Sequence, residues 1–339
     1  MLYVVLCFLM VSLLLYVVLA GADFGAGIVE LFSSEQNQKI TKKTVYRVMG
    51  PVWEANHIWI IIIVVILWVG FPEFYNILVL YLHVPLTLVL LGITLRGVAF
   101  VFRHYDAYKD KSQILYDWMF RISSLVTPIF LGMTVGSMLS GKLIITKTYE
   151  NYTFLEVFVT PWLNGFSILV GLFFASLCAF LTTILLIGEA ETSQMHIYVK
   201  KSKIATITVI SIGFIVLSYG LINDIVFVTE FIKKPITILL ISISAILIYP
   251  LLKSIKNKRK ILSRTLAGIQ VTLILIAAIV THFPVLIISS SSEISILDAV
   301  SPDKVISVLG ITLIIGGLII LPGLFHLLKS FKMIKVLER

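Results

Sequence analysis

Nine long apolar stretches divide this chain of 339 residues, and they constrain its fold more than any other feature. The hydrocarbon core of a bilayer is about 30 Å thick, so each helical span needs about 20 apolar residues. The apolar runs are continuous rather than alternating, which favours helices over a lipid-facing β-barrel. We therefore predict an all-α integral membrane protein with about nine transmembrane helices. The predicted spans are residues 2–32, 51–70, 74–102, 117–140, 162–188, 203–222, 235–252, 265–283 and 304–328.

The composition also indicates a membrane protein. Hydrophobic residues make up 59% of the chain and charged residues 13%, against about 45–50% and about 25% in soluble domains. No soluble domain or long linker separates the apolar stretches, so we interpret residues 1–339 as one polytopic membrane domain. The sequence does not resolve whether its helices form two four-helix bundles plus one further helix. The basic residues are scattered through short loops, which indicates membrane orientation and argues against a nucleic-acid partner.

The loops on the two sides of the predicted membrane differ in charge. One alternating set of loops, together with the C-terminus, holds 20 Lys and Arg residues, and the opposite set holds 5. Because positively charged loops tend to stay in the cytoplasm, the asymmetry predicts an external N-terminus and a cytoplasmic C-terminus. No Lys or Arg precedes the first apolar run, and this run exceeds the about 7–15 residues of a signal-peptide core. We therefore expect an uncleaved first span.

Residues that commonly hold metals or haem are sparse. Cys7 and Cys178 lie inside apolar runs, and the chain has no CxxC motif or Cys/His cluster, which argues against disulfides, iron–sulfur ligation and attached c-type haem. Four of the six histidines lie at or near span ends, whereas His57 and His83 lie near opposite sides of the predicted membrane. We therefore expect neither a metal site nor a haem bound by this chain alone.

The first predicted helix carries an ionisable residue in the segment GADFGAG, residues 21–27. Gly21 and Gly25 form a GxxxG spacing, which lets a neighbouring helix approach closely, so helix packing explains the glycines. Packing does not explain Asp23, because an ionisable group within a span is costly and normally faces protein or water. Asp23 is therefore a candidate functional residue.

The second predicted helix opens with the segment GPVWEANHIW, residues 50–59. Glu54 in its first turn either complements the helix dipole or forms, with Asn56 and His57, a polar entrance on the cytoplasmic side. Trp53 fits an interfacial aromatic belt and a protein core equally well. These four side chains are further candidates for the site.

The third and fourth predicted helices carry arginines. Counting about 1.5 Å per residue places Arg96 about 10 Å from the cytoplasmic end of its helix, and Asp23 about 12 Å from the end of its own. The similar depths predict an ion pair between Arg96 and Asp23. Arg103 lies closer to the interface, where snorkelling is an alternative to a buried partner, and snorkelling is the favoured interpretation of Arg121.

Five segments of the chain carry a family likeness. They are GADFGAG at 21–27, GPVWEANHIW at 50–59, Phe71-Pro72 opening a helix, LRGVAFVFR at Leu95–Arg103, and Phe283-Pro284 followed by a helix ending near Leu321-Pro322. In this combination and order they resemble subunit II of the cytochrome bd-type quinol oxidases. The resemblance covers residues 15–105 and, more loosely, 283–332. Between about 110 and 280 only the hydropathy and the helix count agree.

The resemblance implies a subunit that carries no haem itself and packs against a haem-bearing subunit I. That partner would hold two b-type haems, one d-type haem and the quinol site. The complex would couple quinol oxidation to the reduction of dioxygen to water, with protons taken from the cytoplasm. It would lie in the bacterial cytoplasmic membrane, in contact with membrane lipid. Whether a quinone is bound by this subunit stays open.

The resemblance assigns Asp23 and Glu54 to a cytoplasmic proton route. The family commonly has Asp where Glu54 stands, so a carboxylate is kept with one more methylene group. An Arg96 partner would favour the charged form of Asp23, so we expect Glu54 to be the relay and Asp23 a structural or gating residue. The other structural or gating candidates are Arg96, Asn56, His57 and Trp53. Two alternatives remain, a proton-coupled secondary transporter and a purely structural subunit.

Overall fold

The computed structural model describes residues 1–50, 53–105, 111–146, 148–191 and 193–330. Nine helices within these ranges are long and apolar enough to cross a membrane, which confirms the predicted all-α architecture. The first half of the chain contains α1 (Leu2–Leu15), a π-helical segment (Tyr16–Ala20), α2 (Gly21–Leu31), α3 (Glu35–Met49), α4 (Trp53–Asn56), α5 (Ile58–Gly70), α6 (Pro72–Tyr81), α7 (His83–Tyr105), α8 (Ser112–Leu139) and α9 (Phe154–Phe158). The second half contains α10 (Gly165–Glu189), α11 (Met195–Ile222), α12 (Val226–Lys233), α13 (Pro235–Ile246), α14 (Ile248–Lys256), α15 (Lys260–His282), β1 (Val285–Ile288), β2 (Glu293–Ser295), a 3₁₀ turn (Ile296–Ala299) and α16 (Asp303–Ser330).

Prolines explain two of the breaks between helices. A proline ring clashes with the carbonyl group four residues before it. Helix α6 ends at Tyr81, four residues before Pro85, and α13 ends at Ile246, four residues before Pro250. The predicted third span, 74–102, is therefore wrong as a single helix, because its N-terminal part belongs to α6 and α7 alone forms the span.

Helix α10 lies at the centre of the bundle and packs against α2, α8, α11 and α15. Its crossing with α8 is close because small residues face each other. A Cβ at Gly132 or Gly136 of α8 would lie 2.7 Å from the Cα atom of Gly171 or Ser167 of α10, respectively. Such small residues are typical of helix crossings in membranes. The crossing fixes α8 beside α10, and both helices support the site on α2.

The chain after α15 forms a β-hairpin that the sequence did not predict. Phe283-Pro284 leads into the antiparallel strands β1 and β2, and Leu143 of the α8–α9 loop forms a bridge to Ser289 beside them. Pro322 lies inside α16, which continues to Ser330. The predicted span 304–328 therefore agrees with α16, whereas the helix end near Leu321-Pro322 that was part of the resemblance is wrong. Membrane helices tolerate proline because neighbouring groups and small helix adjustments satisfy the freed carbonyl.

Some predictions concern residues or properties that the fold leaves untested. Pro51 and Val52 of the second motif, and residues 331–339, lie outside the described ranges, as do Lys109 and Lys147 among the loop charges. The external N-terminus, the cytoplasmic C-terminus and the division into two bundles stay predictions.

Candidate functional site

The centre of the candidate site is a buried ion pair between α2 and α7. Asp23 Oδ2 lies 2.7 Å from Arg96 Nη1, and the two side chains are 0% and 1% exposed. Arg96 Nη2 also donates to the backbone carbonyl of Asp23 at 3.0 Å, and Arg96 Nε donates to Ser124 Oγ of α8 at 3.0 Å. The contact predicted from the depths of the two residues is therefore present.

Aromatic rings enclose the guanidinium group of Arg96. Its central carbon lies 5.3 Å from the ring centroid of Phe24 and 5.0 Å from that of Phe120, within the range of cation–π attraction. A buried ion pair offsets its desolvation only with good geometry and further hydrogen bonds. The contacts with Ser124 and with the α2 backbone provide such bonds, so the Arg96 side chain is held in one orientation.

The carboxylate of Asp23 is less fully satisfied than Arg96. Neither of its oxygen atoms accepts a well-aligned hydrogen bond from the described residues, although Oδ2 lies against Arg96. His57 Nε2 is 3.8 Å from the same oxygen, too far for a direct hydrogen bond. The Tyr16 ring is 6.3 Å from that of His57, and the Tyr16 hydroxyl and His57 Nδ1 also lack hydrogen-bond partners within the described ranges. The cluster therefore has spare hydrogen-bonding capacity.

Two glycines of the first motif let α2 approach its neighbours closely enough to bury Asp23. A Cβ at Gly25 would overlap backbone and side-chain atoms of α10, and a Cβ at Gly27 would overlap the Ser124 side chain of α8. A Cβ at Gly21 would have its nearest neighbour at 3.5 Å, an ordinary contact. Both glycines of the GxxxG spacing face α10, but only Gly25 requires the absence of a side chain.

The second motif contains a break between two helices. Helix α4 ends at Asn56 and α5 begins at Ile58, and the His57 backbone N–H donates to the Glu54 carbonyl at 3.1 Å. The side chains around this turn point in different directions. Asn56 is buried, His57 lies beside Asp23, and Glu54 is exposed. One helical turn thus connects an exposed carboxylate to the buried cluster.

Trp53 packs against α7. Its ring centroid lies 5.2 Å from that of Phe100. Gly97 leaves room for the indole, since a Cβ there would lie 3.4 Å from the Trp53 ring. These contacts fit a packing role for Trp53 better than a place in an interfacial belt.

A second charged cluster lies further along α2 and α7, and the sequence did not predict it. Arg103 Nη2 donates to both carboxylate oxygens of Glu30, at 2.9 and 3.0 Å, and Arg103 Nε lies 3.1 Å from Asp117 Oδ1 of α8. Asp117 also binds Lys42 of α3 at 2.6 Å, and Arg121 Nε lies 3.6 Å from Glu30 Oε1. Glu30 and Arg103 are only 2% and 4% exposed. This cluster joins four helices through charge.

The snorkelling interpretation of Arg121 is therefore wrong, and of the two alternatives for Arg103 the buried partner is present, because both side chains are buried beside acidic partners. A signal for the cluster exists in the sequence. Asp23 and Glu30 are seven residues apart, as are Arg96 and Arg103. Since seven residues are nearly two helical turns, each pair lies on one face of its helix, and the two matched spacings predict two ion pairs.

Comparison with known proteins identifies the family. The family model described as cytochrome bd terminal oxidase subunit II matches residues 1–331. The chain belongs to this family. Its nine apolar helices and the family together indicate a multi-pass protein of the bacterial cytoplasmic membrane.

Relatives of this subunit II chain include proteins from two bacteria. It is 27% identical over 175 residues to "Cytochrome bd ubiquinol oxidase subunit 2" of Bacillus subtilis (strain 168), covering 51% of this chain and 49% of the relative. It is 26% identical over 165 residues to "Cytochrome bd-I ubiquinol oxidase subunit 2" of Escherichia coli (strain K12), covering 48% and 42%. These matches span about half the length of the relatives or less.

A solved structure shares the fold of this subunit II chain. The structure of bd oxidase from Geobacillus thermodenitrificans superposes with a TM-score of 0.77 at 17% identity. The superposition covers 97% of this chain and 98% of that chain. The described helices of this chain therefore share the fold of that chain.

Three histidines of this subunit II chain contact backbone carbonyls close to them in the sequence. The Nδ1 atoms of His83, His104 and His196 lie 2.9 Å from backbone carbonyls three or four residues earlier in the chain. His282 Nε2 lies 3.4 Å from Glu230. Within the described ranges, no group of three His, Cys, Asp or Glu side chains is placed to hold a metal ion.

Proposed function

We propose that this chain is the non-haem subunit of a cytochrome bd-type quinol:dioxygen oxidoreductase. It would stabilise a haem-bearing subunit I and line the route by which protons enter from the cytoplasm. Family membership supports the oxidase assignment. The observation that carries the proton route is the buried Asp23–Arg96 pair, which lies beside His57, one helical turn from the exposed Glu54.

The redox chemistry is assigned to the partner. Two b-type haems and one d-type haem in subunit I would oxidise quinol and reduce dioxygen to water when bound there. The residues of this chain would hold and move the protons that the reduction consumes.

Glu54 is the proposed proton relay. Its side chain is exposed on this chain, so it is open to water and to a partner subunit. A carboxylate in such a position can bind a proton and release it in each turnover. The extra methylene group relative to Asp changes its reach and keeps this chemistry.

Asp23 is the proposed gating residue. Its carboxylate lies 2.7 Å from Arg96, and its oxygen atoms have acceptor capacity to spare. His57 lies 3.8 Å from Asp23 and one turn from Glu54. Because that distance exceeds a direct hydrogen bond, transfer between these groups would use bridging water.

The proposal is tested with Glu54→Gln in the assembled oxidase, beside Glu73→Gln as a matched control. Glu73 is another exposed glutamate in the first turn of a helix. We expect Glu54→Gln to lower quinol oxidase turnover about 100-fold, since acid–base groups contribute about 10²-fold or more. Glu54→Asp should retain most of the activity and Glu73→Gln all of it. Unchanged haem absorbance would show that assembly is intact.

Three outcomes would contradict parts of the proposal. Full turnover and full membrane potential in Glu54→Gln would exclude the relay role. Haem absorbance that stays with the separated chain would contradict its assignment as the non-haem subunit. Solute movement by the chain alone in proteoliposomes would indicate the transporter alternative, whereas co-purification of a haem-bearing polypeptide is the expected result.

A further inference from the structure

A half-open cleft at one end of the bundle is lined by basic residues that the proposed proton route does not use. It has a volume of about 220 Å³ and lies between α3 and the turn that joins α10 to α11. Its cations are Lys39, Lys43 and Arg47, and the one carboxylate in its lining is Glu191. Because α3 joins the first two spans, the cleft lies at the membrane surface.

The sequence of α3 places the three cations on one face. Lys39, Lys43 and Arg47 follow at intervals of four residues, so they form one stripe along the helix, and all three are exposed. Thr41 and Val45, on the other face, are buried in the core. Like charges at this spacing destabilise an isolated helix, so an anion between them would relieve their repulsion.

These cations are not neutralised within the part of the chain that the structure describes. No ion pair there involves Lys39 or Lys43. Arg47 donates to the backbone carbonyl of Glu189, whose carboxylate is bound to another arginine. Lys42 of the same helix differs from these cations. It does not line the cleft, and its ammonium group lies 2.6 Å from the carboxylate of Asp117 on α8.

We propose that this cleft binds a phosphate group, with Lys39, Lys43 and Arg47 as its ligands. Ammonium and guanidinium groups are common protein ligands of phosphate oxygens, and basic pockets beside transmembrane helices bind anionic lipid headgroups. The amide of Gln194 also lines the cleft. The cleft volume of about 220 Å³ leaves room for a phosphate group.

The phosphate group can come from a phospholipid headgroup or from free phosphate, and the experiment distinguishes them. Native mass spectrometry of the full chain in detergent measures binding of phosphatidylglycerol, of phosphatidylcholine with the same acyl chains, and of inorganic phosphate alone. We expect the chain to bind phosphatidylglycerol, which is a net anion, at least about tenfold more tightly than phosphatidylcholine, whose choline group neutralises its own phosphate. Lys39→Gln/Lys43→Gln should weaken that binding by at least about tenfold.

Lys253→Gln/Lys256→Gln is the matched control, because it removes two exposed lysines outside the cleft. Arg47 is left intact in both variants, since its bond to the end of α10 supports the fold. Lys39→Arg/Lys43→Arg keeps the charge and should keep the affinity, which separates loss of the ligands from loss of folding.

The outcomes either support the site or overturn it. Inorganic phosphate that binds with the same dependence on Lys39 and Lys43 would identify a soluble phosphate as the ligand, and binding of phosphatidylglycerol without free phosphate would identify the lipid. Equal losses in the two glutamine variants, loss of affinity in the folded arginine variant, or equal affinity for the two lipids would overturn the proposal.

Discussion

Removing one member of a buried ion pair lowers the stability of a protein more than removing both members, because the remaining group keeps its charge without a counter-charge. Asp23 and Arg96 meet this condition, since both side chains are almost completely buried. Glu230 and Lys234 are the opposite case, a 3.6 Å pair with side chains 41% and 40% exposed. Exposed pairs of this kind contribute little to stability. The two pairs therefore respond differently to substitution.

We expect Asp23→Asn and Arg96→Gln each to destabilise the chain by about 3–5 kcal/mol. The double variant should lose less than the sum, because it leaves no unpaired charge. Thermal unfolding of the detergent-solubilised chain measures these effects. Glu230→Gln and Lys234→Gln are the control pair and should shift the unfolding temperature slightly and additively. Strictly additive losses at Asp23 and Arg96 would contradict their coupling.

Part of this charge arrangement could be predicted from the sequence. The Asp23–Arg96 contact followed from counting depth along two helices, because no interface lies near enough to accept either charge. The Glu30–Arg103 contact could not be predicted in this way, because the long side chain of an arginine close to a span end can instead extend to the membrane surface. The packing of α7 against α2 and α8 removes that alternative, because it places Glu30 and Asp117 beside Arg103.

At the scale of elements, the close packing of α2 on α10 and α8 is what buries the site. Apolar patterning predicts that α2 crosses the membrane, but not which neighbours it contacts. A GxxxG spacing indicates a close approach without showing which of its glycines touches a backbone. The same limit applies to the β-hairpin after α15, whose two short strands are too short to distinguish from a loop by periodicity.

Gly25→Ala should destabilise the chain, whereas Gly21→Ala should not. The methyl group at position 25 would overlap backbone and side-chain atoms of α10, and at position 21 it would make an ordinary contact. Overpacking of this kind costs about 1–3 kcal/mol, so we expect a lower unfolding temperature for Gly25→Ala alone. Gly268→Ala on α15 is the control, because open space surrounds that position. Equal effects at positions 21 and 25 would contradict the close crossing.

At the scale of the whole molecule, the distribution of Lys and Arg predicts the direction of insertion. The predicted cytoplasmic loops carry 20 of these residues and the predicted external loops 5. This signal is independent of how the helices pack, since it acts on each loop during insertion. For that reason the sequence predicts both the number of spans and their direction, while the helix contacts had to be observed.

Thiol labelling of intact cells tests the direction. Glu150→Cys lies in the loop between α8 and α9 and Lys258→Cys in the loop between α14 and α15, with Cys7 and Cys178 first replaced by Ser. We expect a membrane-impermeant thiol reagent to label position 150 in intact cells, and position 258 only after permeabilisation. The reverse pattern would show that the protein is inserted the other way round.

The π-helical segment Tyr16–Ala20 sets the rotational phase between the two halves of the first span. Each residue of an α-helix turns the chain by about 100°. A π-helical turn closes with a hydrogen bond between residues i and i+5 rather than i and i+4, so it contains one more residue. Helix α1 contacts α5 and α16, whereas α2 contacts α8 and α10. Loss of one residue here would swing one half about 100° against the other. The orientation of the Asp23 carboxylate towards the interior of the bundle thus depends on the number of residues in the π-helical segment, and not only on their identity.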